Sequence, residues 1–248
     1  MINVAVFGAD GRMGRTVCEA VEAAEGMTVA ARIDAGDDPK AAIEAGAQVA
    51  VDFTHPGAVL GNLDLCLRNG IHAVVGTSGF GPDRVSEVQT LLADSPAGLG
   101  VLIAPNFSLG AVFMMKFAAQ AAAFFESVEI VELHHPNKLD APSGTALRTA
   151  QLIADARRAA GSAPLPDATA EDADHHRGGK VDGIPVHSVR VRGLVAHQEV
   201  LLGAAGETLT IRHDSLDRVS FMPGVLLGVR EVAKHPGLTI GLEHYLDL

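Results

Sequence analysis

The first fourteen residues place the strongest constraint on what this chain can fold into. Residues 2–7 form a near-continuous apolar run, typical of a central parallel strand that is buried on both faces. A turn with Gly8, Gly11 and Gly14 follows, and then a helical pattern from Thr16 to Ala24. This order is the context of a dinucleotide-binding site, because glycines let the backbone approach a pyrophosphate and the helix N-terminus offers unpaired N–H groups. An ordinary tight turn is the alternative interpretation.

An acidic residue follows the second strand pattern. Residues 27–33 are strand-like and end at Asp34, about twenty residues beyond the last glycine, where an acid binds the ribose hydroxyls of a dinucleotide. Asp34 could instead only open the acidic loop that follows it. With the glycine turn it predicts NADH and/or NADPH as cofactor. The acid favours a free 2′-hydroxyl, and Arg12 is the only nearby cation of the glycine turn, so we expect NADH to be used at least as well as NADPH.

Strand and helix patterns alternate up to about residue 105, which indicates a parallel sheet. Ligands collect at the carboxyl ends of the strands of such a sheet. Several of these ends run into turns of small or hydroxylated residues, which we expect to line the nicotinamide side of a bound cofactor. These turns are Phe53-Thr54, Gly76-Thr77-Ser78-Gly79 and Ala104-Pro105-Asn106-Phe107.

The pattern changes in the second half of the chain. A long apolar helix is predicted over 108–125, a strand over 128–133, a helix over 143–159 and a surface loop over 160–183. Three β-rich runs follow at 184–192, 195–202 and 207–212, and the short glycine turns between them favour antiparallel pairing. A helix over 219–233 and a strand over 238–240 are expected to rejoin the first domain.

The predicted fold class is therefore α/β. We expect an N-terminal Rossmann-like parallel-sheet domain formed by residues 1–105 plus 216–248. Residues 106–215 are expected to form a second α+β domain, built on an open mixed or antiparallel sheet, for substrate binding and oligomerisation.

Composition and charge restrict the partners. With 48% hydrophobic residues, a net charge of −11 and no run of Lys and Arg, the chain is expected to bind neither nucleic acid nor a membrane. Cys18 and Cys66 lie in apolar helical patterns and are interpreted as core residues in a reducing compartment. A cytoplasmic protein is the expectation.

The stretch Glu132–Thr145 carries the clearest chemistry. His134 and His135 follow a strand end and Lys138 comes soon after, so groups that can donate protons lie close together in the sequence. Ser143, Gly144 and Thr145 open the next helix, where backbone N–H groups and two hydroxyls suit a carboxylate. A small acid is the ligand that fits.

Other interpretations of these residues stay open at this point. The two histidines could form a metal site with His175 and His176, although no ligand spacing typical of zinc or iron is present. Lys138 and Asp140 could be a solvated ion pair, and Ser-Gly-Thr could be only a helix cap. Three more residues on the later strands are interpreted as structural: His187, His197 and Glu199.

Residues 132–146, ELHHPNKLDAPSGTA, resemble the signature of the 4-hydroxy-tetrahydrodipicolinate reductase (dihydrodipicolinate reductase) family of the diaminopimelate and lysine pathway. The resemblance extends over nearly the whole chain, through GADGRMG at 8–14, VDFTHP at 51–56, GTSG at 76–79 and APNFS at 104–108. It implies NAD(P)H-dependent reduction of a small cyclic dicarboxylate with loss of water, and a homotetramer joined through the second domain.

The resemblance also implies residue roles. His134 would be the general acid/base and Lys138 the second proton donor, and no metal is implied. His135, with Gly144 and Thr145, would bind the dicarboxylate, alongside the Ser143 predicted above. The implied cofactor residues are Gly8, Ala9, Asp10, Gly11, Arg12, Met13, Asp34, Gly76, Thr77, Ser78, Ala104, Pro105, Asn106 and Phe107.

Two competing hypotheses remain. Another two-domain NAD(P)-dependent dehydrogenase of the aspartate type would share the first domain without needing the histidine, lysine and Ser-Gly-Thr combination. A nonenzymatic dinucleotide sensor would leave those groups without a task.

Overall fold

The structure is a computed structural model that describes residues 1–246, apart from the side chain of His175. The chain divides into two compact units, residues 1–108 with the segment from 218 onward, and residues 109–217. No helix within the described residues is long and apolar enough to cross a membrane. The strands and helices are, in chain order, β1 (Ile2–Phe7), α1 (Arg12–Ala23), β2 (Met27–Ile33), α2 (Ala41–Glu44), β3 (Val49–Asp52), α3 (Val59–Arg68), β4 (His72–Val75), α4 (Pro82–Ala93), β5 (Gly100–Ile103), α5 (Leu109–Ala122), β6 (Ser127–His134), α6 (Gly144–Ala159), β7 (Gly179–Val181), β8 (Ile184–Arg190), β9 (Ala196–Ala204), β10 (Glu207–Ser215), α7 (Met222–Glu231) and β11 (Gly237–Ile240).

The first unit is a parallel sheet with the strand order β11-β5-β4-β3-β1-β2. Its central strands are almost fully buried because helices cover both faces. On β4, Ala73 and Val75 pack against α3 and α4, whereas Val74 lies on the face of α7. The last strand, β11, pairs with β5.

The second unit is a mixed sheet with the order β10-β9-β6-β8-β7, in which only the β6–β8 pair is parallel. Every second residue of β6, including Val128 and Ile130, packs against small residues of α5 and α6 such as Ala118 and Ala150. Alanines let the two helices lie close to each other and to the sheet. The predicted fold class, a parallel-sheet unit with a second mixed-sheet unit, is confirmed.

One predicted strand pairing is wrong. The short connection containing Gly193 led us to expect antiparallel pairing between the runs that form β8 and β9, but β6 lies between them. After β8 the backbone crosses the end of β6, where the Val191 N–H donates to the His134 carbonyl at 3.0 Å. The apolar alternation of β6 makes it the central strand, which needs a neighbour on each side. As a result, Arg190 is the register partner of His134.

The predicted loop over 160–183 is also wrong at its end, where β7 forms a hairpin with β8. The sequence signal was Asp182-Gly183, which has positive φ at both residues and makes a two-residue turn. The helix predicted over 219–233 is present, with end turns of the 3-10 form. It consists of α7 with a short 3-10 turn before it, at Arg218–Phe221, and another after it, at Val232–Lys234.

Candidate active site

The glycine turn of the first unit is sterically closed to larger residues. A Cβ on Gly14 would lie 2.0 Å from the Gly8 carbonyl oxygen, and one on Gly8, at φ +78°, would lie 2.7 Å from the Phe53 carbonyl oxygen. Asp34 lies beside this turn, where its carboxylate accepts the Asp10 N–H at 2.6 Å. The structure therefore brings together the glycines and the acid that the sequence singled out.

This turn fits a dinucleotide pyrophosphate. Gly11 precedes α1 and has no side chain to cap it, so no N-cap side chain accepts from the N–H groups of Arg12, Met13 and Gly14 in the described structure. The first N–H groups of a helix also have no carbonyl partner within the helix, and such groups favour phosphate oxygens. Hydrogen bonds from the Ala35 and Asp10 N–H groups lower the pKa of Asp34, so its carboxylate is charged and can accept from ribose hydroxyls.

The turns after β3, β4 and β5 meet around Phe53. A Cβ on Gly76 would lie 2.1 Å from the Phe53 ring, and the rings of Phe53 and Phe107 have centroids 5.7 Å apart. Ala104 and Phe107 are buried, whereas Ser78 and Pro105 are exposed. The Asn106 carboxamide accepts the Ser108 N–H at 2.7 Å. These predicted cofactor residues thus lie at one edge of the sheet, together with the glycine turn.

Asp52 organises this edge, and the sequence analysis gave it no role. It is 3% exposed, and it accepts hydrogen bonds from the Thr54 and Thr77 hydroxyls at 2.7 Å and from the Asn62 amide at 2.8 Å. The missed signal is a carboxylate at the end of an otherwise apolar buried strand. Such a group is stable only when several donors satisfy it.

In the second unit the candidate site begins where β6 ends. Side chains alternate along a strand, so Glu132 and His134 share the face that α5 and α6 cover. Glu132 is fully buried and the side chain of His134 is 13% exposed. His134 Nδ1 lies 2.5 Å from Glu132 Oε2.

Arg190 completes the environment of Glu132. Its two terminal nitrogens donate to the two carboxylate oxygens at 2.9 and 2.8 Å. Burial by itself would raise the pKa of this carboxyl group, but hydrogen bonds from His134, Arg190 and Ser188 outweigh it and lower the pKa to about 2. The carboxylate is therefore charged. Arg190 belongs to a run that the sequence identified only as a strand, and its proximity depends on the pairing of β6 with β8.

The segment between β6 and α6 carries the other predicted groups. The Lys138 ammonium donates to the Asp140 carboxylate at 2.8 Å. This ion pair was one of the alternatives left open above. Burial raises the pKa of Asp140, but the hydrogen bond from Lys138 prevails and lowers it. The Nδ1 atom of His135 is buried without a hydrogen-bond partner in the described structure.

The first turn of α6 follows the Ala141-Pro142 peptide bond, which is cis. The Ser143 hydroxyl accepts the Ala146 N–H at 3.2 Å, so this side chain caps the helix, as one alternative held. A Cβ on Gly144 would meet no atom within 4 Å, and open space therefore lies beside the helix N-terminus. Thr145 is the second residue of the helix and is half-buried.

The remaining histidines of this unit lie elsewhere. His187 contacts Glu129 at 2.8 Å and His197 contacts Asp214 at 2.6 Å, both on the sheet face opposite α5 and α6. Glu199 is ion-paired with Arg212. No group of three or more His, Cys, Asp and Glu side chains within the described part of the chain could hold a metal ion, and His175 lies outside it. Cys18 and Cys66 are free and buried, as predicted.

The two units together define a class of protein. The first unit is Rossmann-like, with a closed glycine turn and an acid beside it, and the second carries an imidazole, an ammonium and a helix N-terminus. This combination is typical of a dinucleotide-dependent oxidoreductase that acts on an acid.

Comparison with known proteins specifies the class further. Family models described as dihydrodipicolinate reductase, N-terminus and C-terminus, match residues 2–107 and 110–246. Proteins named 4-hydroxy-tetrahydrodipicolinate reductase from Streptomyces avermitilis and Streptomyces coelicolor are 64% and 65% identical over 247 residues, which is 100% of this chain and 98% of each relative. The chain belongs to the dihydrodipicolinate reductase family.

Solved structures agree with this assignment. A dipicolinate-bound dihydrodipicolinate reductase from Paenisporosarcina sp. TG-14 is 39% identical, with a TM-score of 0.84 over 99% of this chain and 100% of that one. A myo-inositol 2-dehydrogenase from Lactobacillus plantarum has a TM-score of 0.63 at 9% identity, over 98% of this chain and 93% of that one. The second likeness shows only that the fold is shared.

Proposed function

We propose that this chain reduces 4-hydroxy-tetrahydrodipicolinate to tetrahydrodipicolinate with loss of water, in the diaminopimelate route to lysine. The observation that carries the proposal is the placement of His134, Lys138 and the open N-terminus of α6 within one short segment of a family member. The dipicolinate held by the 39% identical relative is a six-membered ring with two carboxylates, like the proposed substrate.

The chain's own groups divide into two tasks. His135, Gly144 and Thr145 bind the substrate carboxylates, and the Ser143 hydroxyl contributes to that site while it caps α6. His134 is the general acid/base and Lys138 is the second proton donor, because loss of the ring hydroxyl as water and protonation of the ring carbon both require an acid. Fixed donors also orient the ring before reaction. NAD(P)H, when bound at residues 8–13, Asp34, 76–78 and 104–107, supplies the hydride.

The test is a coupled assay in which a synthase generates the unstable substrate and oxidation of NADH or NADPH is followed. We expect His134→Gln and Lys138→Ala each to lose about a hundredfold or more in kcat, as positioned acids do. His244→Gln and Lys234→Ala, which change exposed residues of the first unit, serve as matched controls and are expected to keep wild-type rates.

Two outcomes would contradict the proposal. If oxidation of the reduced cofactor does not depend on the cyclic dicarboxylate, or if aspartate reduces NAD⁺ faster, the activity is a different one. Retained kcat with only KM raised in either variant would reassign that residue to binding.

We further propose that NADH is used at least as well as NADPH. The Asp34 carboxylate is charged and lies against the glycine turn. The Asp37 carboxylate accepts a hydrogen bond from the Asp34 N–H and so places a second negative charge in the same loop. A 2′-phosphate there would face repulsion. A tenfold or larger advantage for NADPH in kcat/KM would contradict this preference.

A variant pair tests the cause of the preference. We expect Asp34→Asn to shift the ratio of kcat/KM values toward NADPH by roughly tenfold, equivalent to about 1.4 kcal/mol. Asp38→Asn removes the same charge from the same loop, but the Asp38 carboxylate accepts the Lys40 N–H instead of an N–H of the glycine turn, so the ratio should stay near wild type. Equal shifts in both variants would assign the preference to the general charge of the loop.

We also propose a homotetramer joined through the second unit. Within that unit α5 and α6 lie on one face of the sheet, and the opposite face carries apolar residues such as Val131, Leu133 and Leu201 between ion pairs. An apolar sheet face is commonly covered by another layer of structure. When that layer comes from a second copy of the chain, the assembly usually has closed symmetry.

The proposed location is the cytoplasm. The free thiols of Cys18 and Cys66 support it, since a reducing compartment keeps cysteines in this state.

A further inference from the structure

The cluster at the end of β6 contains two residues to which the proposed function gives no task. Glu132 has no exposed surface, and Arg190 is 21% exposed beside it. A buried carboxylate is costly unless donors satisfy its oxygens. Glu132 is satisfied by Arg190 on both oxygens and by His134 on one of them.

This arrangement determines which nitrogen of His134 carries a hydrogen. A charged carboxylate only accepts hydrogen bonds, so His134 Nδ1 must donate to it. The neutral imidazole is then the Nδ1–H tautomer, and Nε2 is the atom that takes up or releases a proton. The short contact of 2.5 Å also fixes the plane of the ring. Glu132 thus sets the tautomer and the orientation of His134, while its own side chain is fully buried.

Arg190 connects the two predicted proton donors. The guanidinium that binds Glu132 also donates to the Asp140 carbonyl oxygen at 2.8 Å. The Asp140 carboxylate in turn holds the Lys138 ammonium. One side chain therefore anchors the carboxylate behind His134 and the backbone of the segment that carries Lys138.

The neighbouring elements contribute polar groups around this contact, and the nearby carboxylate of Asp140 is paired with Lys138. Gln198 of β9 is the register partner of Glu132 and bonds to Thr149 of α6 at 2.8 Å. His213 of β10 lies one strand further, opposite Gln198, and burial lowers its pKa, which favours the neutral imidazole. The groups that face the pair are Ser188 and Arg190 from β8, Gln198 from β9, Thr149 from α6, and Lys138 and Asp140 from the connecting segment.

We propose that Glu132 and Arg190 are positioning residues of the reaction: together they hold His134 as the Nδ1–H tautomer with Nε2 available, and they anchor the Lys138 segment through the Asp140 carbonyl. The consequence for turnover rests on the proposed function, whereas the tautomer of His134 does not. The two parts can therefore fail separately.

The substitution Glu132→Gln tests the tautomer directly. The glutamine amide has one oxygen for the two positions that Arg190 binds, so its NH₂ can take the position shared with His134 while the carbonyl oxygen accepts from Arg190 Nη2. That amide would donate to Nδ1 and select the Nε2–H tautomer. Long-range ¹H–¹⁵N spectra of the histidine rings, taken on the whole protein without ligands, are expected to show His134 protonated at Nδ1 in the wild type and at Nε2 in the variant.

Kinetics test the effect on turnover. We expect Glu132→Gln to lower kcat by about a hundredfold with KM within about threefold of wild type, because substrate contacts stay in place. Glu132→Asp keeps the charge and should recover part of the rate. Glu129→Gln is the matched control, since Glu129 lies on the same strand and binds His187 and Arg177 on the opposite face. It should keep kcat, with assembly checked by sedimentation.

The role of Arg190 is tested with a double variant, because replacing Arg190 alone leaves the buried Glu132 carboxylate without its cation. Arg190→Met alone is expected to lower Tm, and the double variant Glu132→Gln/Arg190→Met, which buries no charge, should recover Tm but not kcat. Recovery of both would show a purely structural role and overturn the proposal. A folded Glu132→Gln variant with wild-type kcat and an unchanged His134 tautomer would overturn it as well. If the wild type itself does not reduce the cyclic dicarboxylate, the proposed function fails while the ring spectra still decide the tautomer.

Discussion

Glu132 shows how a charge can be kept in a protein interior. Transfer of a carboxylate out of water costs several kcal/mol, and one bidentate arginine with one imidazole restores enough hydrogen bonding to keep it ionised. The same pair on a surface would contribute little. At this position the partners keep Glu132 charged, and Glu132 in turn orients the neighbouring His134.

The lowered pKa of Glu132 predicts how stability depends on pH. The pKa falls from its ordinary 4.5 to about 2 on folding, so between these values the unfolded chain binds more protons than the folded one. The stabilisation is complete above pH 4.5 and is lost as the pH falls toward 2, by up to about 3 kcal/mol.

Urea unfolding at neutral pH and at about pH 3 measures this contribution. We expect wild type to lose more free energy of unfolding on acidification than Glu132→Gln, which shares every other carboxylate. Equal losses in the two proteins would show that Glu132 is not the group responsible.

At the scale of elements, Arg157 joins the ends of three segments in the second unit. The residue is 7% exposed, and its guanidinium donates to the carbonyl oxygens of Ala122, Phe125 and Ala163 at 3.1, 2.5 and 2.9 Å. The last carbonyl groups of a helix have no partners within the helix, and a cation is favourable at this negative end of the dipole. Arg157 therefore closes α5 and fixes the chain that leaves α6.

We expect Arg157→Met to lower the free energy of unfolding by about 3 kcal/mol, because several buried carbonyl oxygens lose their donor. Arg158→Met is the control. Arg158 is the next residue, its side chain is 71% exposed and it pairs with exposed Asp155, so its replacement should cost less than about 0.5 kcal/mol. Similar losses in the two variants, measured by urea unfolding, would contradict the role assigned to Arg157.

At the scale of the whole molecule, the proposed tetramer has a test with a closely matched pair. Leu201 and Leu209 are both 39% exposed and lie on neighbouring strands, but alternation puts Leu201 on the open face and Leu209 on the side of α5 and α6. Leu201→Glu would bury a charge in the interface, whereas Leu209→Glu would not.

Sedimentation velocity is the measurement. The wild type and Leu209→Glu are expected to sediment as tetramers, and Leu201→Glu as smaller species at the same concentration. A monomeric wild type, or a tetrameric Leu201→Glu variant, would exclude this interface.

The sequence by itself determined the features that arise from local chemistry. Strand and helix periods, the glycine turn with Asp34, and the segment from His134 to Thr145 could all be identified, because burial patterns, capping and turn geometry act over a few residues. The Asp182-Gly183 hairpin was equally local and was missed.

Only the tertiary structure decided which strands meet. It placed β6 between β8 and β9, and so brought Arg190 to Glu132 across 58 residues of sequence. It likewise gathered Thr54, Asn62 and Thr77 around Asp52. Such contacts depend on the free energy of the assembled core, to which segments distant in sequence contribute. The residue pattern within one segment therefore does not predict them. The proposed acid, His134, could be found from the sequence, but its indirect link to Arg190 through Glu132 could not.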